Sequence, residues 1–214
     1  MDFLDPLEFS ADWARAQAAL IFMHGHGQTR DDCQEFAEKI GCDGIRFLFP
    51  RAESGGWFPK SFLEPVEENQ PQLGQSLAHY GAILDSVRGR GLALDRIILG
   101  GFSQGACLTA EFLVRNPRSY GGALILSGGL MDIGAIGRRP GSGLLGVPVY
   151  VSASESDEQA PVERARATIK TLQAGGALIR SHIFTDRPHV IGDEEIVEAR
   201  KLLAEVKQAA ETAA

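Results

Sequence analysis

Two kinds of hydrophobic spacing alternate along the chain. Short unbroken apolar runs, at Ala19 to Met23, Ile45 to Phe49, Arg96 to Leu99, Gly122 to Leu126, Val147 to Ser152 and Ala177 to Phe184, read as strands covered on both faces. Between them, apolar residues recur every three or four positions over Asp31 to Ile40, Gln72 to Arg88, Gln104 to Arg115, Pro161 to Ala174 and Glu194 to Ala210, which predicts amphipathic helices. Strand and helix in turn predict an α/β fold with a mostly parallel central sheet and helices on both faces. The longest breaks in the pattern, 50–70 and 127–146, are rich in Gly and Pro and predict irregular loops. Long loops in a compact domain are where a substrate wall is expected. No shift of composition divides the 214 residues, so 1–214 is read as one domain.

Charge and cysteine content narrow the partners. A net charge of -7 argues against nucleic acid and against attraction to anionic membranes, both of which are themselves negative. Cys33, Cys42 and Cys107 are odd in number and do not form a disulfide framework, and Met1-Asp2-Phe3-Leu4-Asp5 lacks the basic region of a secretory signal. The expected location is therefore cytoplasmic. No run is long enough to span a bilayer, no internal repeat is visible, and the oligomeric state stays open, with a homodimer among the options.

One junction changes the picture. In "IILGGFSQGACLTAEF" a strand pattern gives way to a helix pattern within six residues, Gly100 to Gly105, with Ser103 at the apex. A turn that tight strains the serine backbone and needs glycines at 101 and 105, where a Cβ would strike the neighbouring strand or helix. Gly101-Phe102-Ser103-Gln104-Gly105 is thus a candidate nucleophile elbow.

A serine nucleophile needs a base, and the base needs an orienting acid. Of the five histidines, His79 lies within a helix pattern and His182 within a strand, both positions of ordinary packing. His189 follows the last strand and precedes a helix opened by Gly192-Asp193-Glu194-Glu195, where Asp193 is expected to cap. Loops at the carboxyl ends of strands are where open α/β sheets place chemistry. The acid is expected between the serine and the histidine, and Glu155, Asp157 and Glu158 all follow the strand ending at Ser152. Composition does not choose among them.

The segments "FMHGHGQT", "GGFSQGA", "SASESDEQAP" and "RPHVIGDEEI", spread from about Ala19 to Leu203, resemble the phospholipase/carboxylesterase branch of the α/β hydrolases, a group that includes acyl-protein thioesterases. The resemblance implies the single-domain α/β-hydrolase fold. It also implies Asp157 as the acid, because the family places it four residues before a proline; Asp157-Glu158-Gln159-Ala160-Pro161 fits, with Ala160 where valine is usual. The oxyanion of such a reaction is stabilised by backbone N–H groups. One is expected from Gln104, directly after the nucleophile, and the resemblance implies the other from His26. His24 and His26 could instead be a metal pair, but no third ligand has recognisable spacing and the serine machinery needs no metal, so no metal or cofactor is expected.

Within 50–70, Trp57, Phe58, Phe62 and Leu63 form a dense apolar cluster, read as one wall of the acyl pocket with Trp57 foremost; packing beneath the loop is the competing reading. Asp132 is given no part, and Arg138-Arg139 read as solvated charges. The expectation is a serine hydrolase cleaving esters or thioesters of short to medium acyl chains through an acyl-enzyme, on small-molecule or acylated substrates. The competing functions are a lysophospholipase, a peptidase or amidase on the same three residues, and a binding or sensing protein on a hydrolase scaffold.

Overall fold

The computed structural model describes residues 2–41, 43–131 and 141–212; Cys42, Asp132, Arg138 and Arg139 lie outside them. Seven strands form one sheet: β1 (Phe3–Ser10), β2 (Ala18–Met23), β3 (Ile45–Ala52), β4 (Ile97–Phe102), β5 (Gly122–Leu126), β6 (Pro148–Ser154) and β7 (Leu178–Phe184), in the order β1-β3-β2-β4-β5-β6-β7. All neighbours are parallel except β1 with β3. β1 is absent from the sequence expectation. Its acids and Pro6 hide it, yet a proline is tolerated on an edge strand, and the β1 ladder shifts register between Leu4 and Leu7.

The helices are α1 (Arg30–Ile40), α2 (Gln72–Gly89), α3 (Gln104–Arg115), α4 (Val162–Ala174) and α5 (Asp193–Thr212). They cover both faces, because residues of a strand point alternately to opposite sides. Ala19, Ile21 and Met23 of β2 pack with α2, α3 and α4, whereas Ala18, Leu20 and Phe22 pack with α1 and α5. The start of α1 is fixed by a reciprocal pair: the Asp32 N–H donates to Thr29 Oγ1, and the Thr29 N–H donates to the Asp32 carboxylate at 2.6 Å. At the start of α5 the expected cap is replaced. Glu195, not Asp193, turns back to the backbone, accepting from the Gly192 N–H at 2.6 Å. Among the described residues no helix is long and apolar enough to cross a membrane.

Candidate active site

β4 runs into α3 through Ser103 alone, at φ 53° and ψ -119°. A left-handed serine costs roughly 1–3 kcal/mol unless the surroundings hold it. Here its N–H donates to the Leu126 carbonyl at 2.9 Å, and its own carbonyl accepts from the Cys107 N–H at 3.1 Å. The two glycines of the motif are needed for space: a Cβ on Gly105 would lie 1.9 Å from the Met23 carbonyl oxygen, and one on Gly101 would lie 2.3 Å from the Gly105 backbone.

Three separate loops converge on this serine. Ser103 Oγ lies 2.8 Å from His189 Nε2, and His189 Nδ1 lies 2.6 Å from Asp157 Oδ2. An ionised carboxylate can only accept, so Nδ1 carries the ring proton and Nε2 is left to accept from the serine hydroxyl. Asp157 is itself held still. Its second oxygen accepts from the backbone N–H groups of Gln159 at 2.9 Å and Ala160 at 3.1 Å, a turn that Pro161 then ends. Glu155 and Glu158 are exposed, and Glu155 is paired with Arg166 at 3.0 Å.

The histidine loop has supports that the sequence reading missed. Glu195 is buried, at 1% exposure, and its two oxygens accept from Ser152 Oγ at 2.7 Å and Arg187 Nη1 at 2.7 Å. Arg187, two residues before His189, also stacks its guanidinium 3.5 Å above the Phe184 ring, and its N–H donates to Ser154 Oγ at 3.0 Å. The sequence assigns only Asp193 of these acids a role, as a cap; an acid facing an arginine eight positions earlier in the chain is visible only after the loop has folded.

On the other side of Ser103, the backbone N–H groups of His26 and Gln104 donate to no protein carbonyl among the described residues. The turn that carries His26 is closed by the Gln28 N–H on the Gly25 carbonyl at 3.1 Å and by the Gly25 N–H on Gln28 Oε1 at 2.6 Å. The His26 ring is exposed. His24 is buried, packs tilted against Trp57 at 4.7 Å and points Nδ1 at the Gly25 carbonyl; the described residues hold no cluster of three metal-ligating side chains.

Trp57, read from the sequence as the foremost pocket residue, lies deep under its loop. Its side chain is fully buried, at 0% exposure, with the indole N–H donating to the His24 carbonyl at 2.9 Å. Its backbone is bracketed too: the N–H donates to Gln104 Oε1 at 2.6 Å, and the carbonyl accepts from Ser76 Oγ at 2.6 Å. The Gln104 amide completes the bracket by donating to the Phe58 carbonyl at 2.8 Å. An indole with a buried donor must find an acceptor, and the one in reach lies beneath the site rather than beside a groove. Phe62 is also buried, under the Arg164 guanidinium at 5.7 Å, whereas Leu63 is 41% exposed. Phe58 borders a cleft of about 380 Å³ shared with His26, Gly56 and Gln72.

Comparison with known proteins identifies the family. The family model described as Phospholipase/Carboxylesterase matches residues 8–207. Acyl-protein thioesterase 1 of Debaryomyces hansenii is 22% identical over 213 residues, covering 89% of this chain and 92% of that protein. The same-named protein of Eremothecium gossypii is 26% identical, covering 91% and 90%. The crystal structure of a phospholipase/carboxylesterase from Dyadobacter fermentans superposes with a TM-score of 0.86 at 32% identity, over 94% of this chain and 96% of that one. The chain belongs to the phospholipase/carboxylesterase family of α/β hydrolases and is a hydrolase of the esterase and thioesterase type.

Proposed function

We propose that Ser103, His189 and Asp157 act together as nucleophile, general base and orienting acid in the hydrolysis of carboxylic esters or thioesters. The observation that carries this is the continuous line of hydrogen bonds, 2.8 Å from Ser103 Oγ to His189 Nε2 and 2.6 Å from His189 Nδ1 to Asp157 Oδ2. In the first half-reaction Ser103 Oγ bonds to the acyl carbon while its proton passes to His189 Nε2. The carbonyl oxygen gains charge and is met by the unoccupied N–H groups of His26 and Gln104, a contribution worth about 3–4 kcal/mol per donor in comparable sites. The bond to the leaving oxygen or sulfur then breaks, and that atom takes the proton from His189. Water repeats the sequence on the acyl-enzyme and restores the Ser103 hydroxyl.

The acyl chain is assigned to the cleft of about 380 Å³ bordered by His26 and Phe58. Its size supports acyl chains of short to medium length, and the curated relatives named acyl-protein thioesterase support thioesters among the substrates. The test combines fluorophosphonate labelling with kcat/KM on matched ester and thioester substrates. Ser103→Ala is expected to abolish labelling and turnover without loss of fold, and Asp157→Asn to lower kcat roughly 10⁴-fold. Glu155→Gln should change little. Wild-type turnover by Ser103→Ala, or a larger loss in Glu155→Gln than in Asp157→Asn, overturns the assignment.

A further inference from the structure

A second cleft, of about 370 Å³, borders His189 and lies between α1 and the loop and first turn of α5. It shares no residue with the cleft beside His26. Its apolar lining comes from Phe36, Phe102, Val190, Ile191 and Ile196, and the Phe102 ring also packs against His189 at 4.9 Å. Its polar edge carries Asp32, Glu35 and Lys39.

We propose that this cleft receives the leaving group of the substrate, and that the leaving group it fits is a neutral alcohol or thiol with an apolar body. The proposal rests on the reading of Ser103 and His189 given above. A general acid must lie within about 3 Å of the atom it protonates, so the leaving oxygen or sulfur sits against His189 Nε2 and the group it carries continues on the His189 side. The acyl chain and the oxyanion are then left to the side of His26 and Gln104. Two separate clefts, one walled by the base and the other by an oxyanion donor, match the two substituents of the carbonyl.

The charges at the edge restrict the occupant. The Asp32 carboxylate is occupied by the Thr29 backbone N–H and hydroxyl at 2.6 and 2.7 Å. The Lys39 ammonium is paired with Glu35 at 2.7 Å. A carboxylate or phosphate on the leaving group would meet two carboxylates and an ammonium already paired, while giving up its hydration. An apolar body meets isoleucine, valine and phenylalanine instead.

The experiment is a series of acetate esters of methanol, butanol, hexanol and benzyl alcohol, with acetylated glycolate as the anionic member. On the wild type, kcat/KM is expected to rise about two- to fourfold per buried methylene of the alcohol, and acetylglycolate to fall at least tenfold below butyl acetate. Ile191→Trp, which fills the cleft, should lower the benzyl-to-methyl ratio at least tenfold, while the dependence on acyl length, measured on methyl esters, keeps its wild-type slope. Glu35→Lys, at an exposed position that the fold does not need, should raise acetylglycolate relative to butyl acetate at least fivefold. A flat alcohol series overturns the proposal, as do equal losses on every ester in Ile191→Trp, a changed acyl-length slope, or no charge response in Glu35→Lys. Fluorophosphonate labelling separates the two levels: an unlabelled Ser103 fails the hydrolase reading itself, whereas a labelled Ser103 with a flat series fails only the assignment of this cleft.

Discussion

The two rims of Ser103 are held in place by different physics. On the side of His26 and Gln104 the supports are neutral: a fully buried indole, an amide that both accepts and donates, and a serine hydroxyl, all directed at backbone groups. On the side of His189 they are ionic, with Arg187 between Glu194 and the buried Glu195. The difference matches what the proposed function asks of each rim. Donors that meet a developing oxyanion work by staying where they are, and fixed neutral dipoles cost no reorganisation when the charge appears. On the proposed reading His189 gains and loses a proton, and its loop is anchored by one guanidinium, Arg187, shared between the carboxylates of Glu194 and Glu195.

The neutral rim should be the harder to damage without harming the whole fold. Trp57→Ala removes the largest buried side chain beneath the site and leaves the His24 carbonyl without its indole partner. The expected loss of stability is about 3–5 kcal/mol, read from urea unfolding. Trp57→Phe keeps most of the ring and loses the hydrogen bond, for about 1–3 kcal/mol. Activity per folded molecule should fall in both, for all acyl lengths alike, because on the proposed reading the residue supports the backbone of the oxyanion donors rather than lining the acyl chain. A loss confined to long acyl chains would return Trp57 to the pocket wall.

Glu195→Gln tests the ionic rim. The amide is nearly isosteric and keeps one acceptor, but Arg187 loses its buried countercharge. The expected cost is roughly 2 kcal/mol, less than for a fully buried pair because Arg187 still has Glu194. Its signature is kinetic: kcat should drop about tenfold, and Ser103 should label more slowly with a fluorophosphonate, because His189 is less well held. Glu194→Gln, on the exposed partner, should do much less. Equal effects from the two would mean that the pair props up α5 rather than the histidine loop.

What could be read from the sequence follows the range of the contacts. The strands β2 to β7 and the five helices were visible because periodicity is local, and the elbow was visible because its glycines sit within five residues of sequence, although the clash that forces Gly105 comes from the Met23 carbonyl of another strand. Asp157 needed the family resemblance, since three acids follow β6 and only the turn to Gln159 and Ala160 distinguishes one of them. Trp57 is not placed by the sequence, because an aromatic residue in a Gly-rich loop suits a groove and a satellite core equally well. Its acceptor, the His24 carbonyl, lies 33 positions earlier in the chain. Glu195 and Arg187 were missed for a related reason: a charge near a helix start is usually solvated, and only burial turns it into a support.

The smallest effect expected is one of pH, and it distinguishes the rims again. Two histidines surround the indole of the neutral rim: His24 packs directly on Trp57, and His79 stacks on Phe3 at 4.0 Å, which in turn stacks on Trp57 at 6.4 Å. Burial pushes both imidazoles below their ordinary pKa, and His79 Nε2 is enclosed with no hydrogen-bond partner. Between their folded values and the unfolded value near 6.5, the unfolded chain binds more protons than the folded one. Stability is therefore complete above about pH 6.5 and declines as the pH falls through the folded values, because acid charges rings that the fold keeps neutral. The thermal midpoint should drop by a few degrees from pH 7.5 to 5.5, read by thermal unfolding. His79→Phe keeps the stack, removes the enclosed nitrogen and cannot take a proton, so it should raise the midpoint slightly at neutral pH and flatten part of the decline. A midpoint that holds steady or rises in acid would show that the neutral rim does not feel these rings, and an unchanged slope in His79→Phe would leave His24 as the only group responsible.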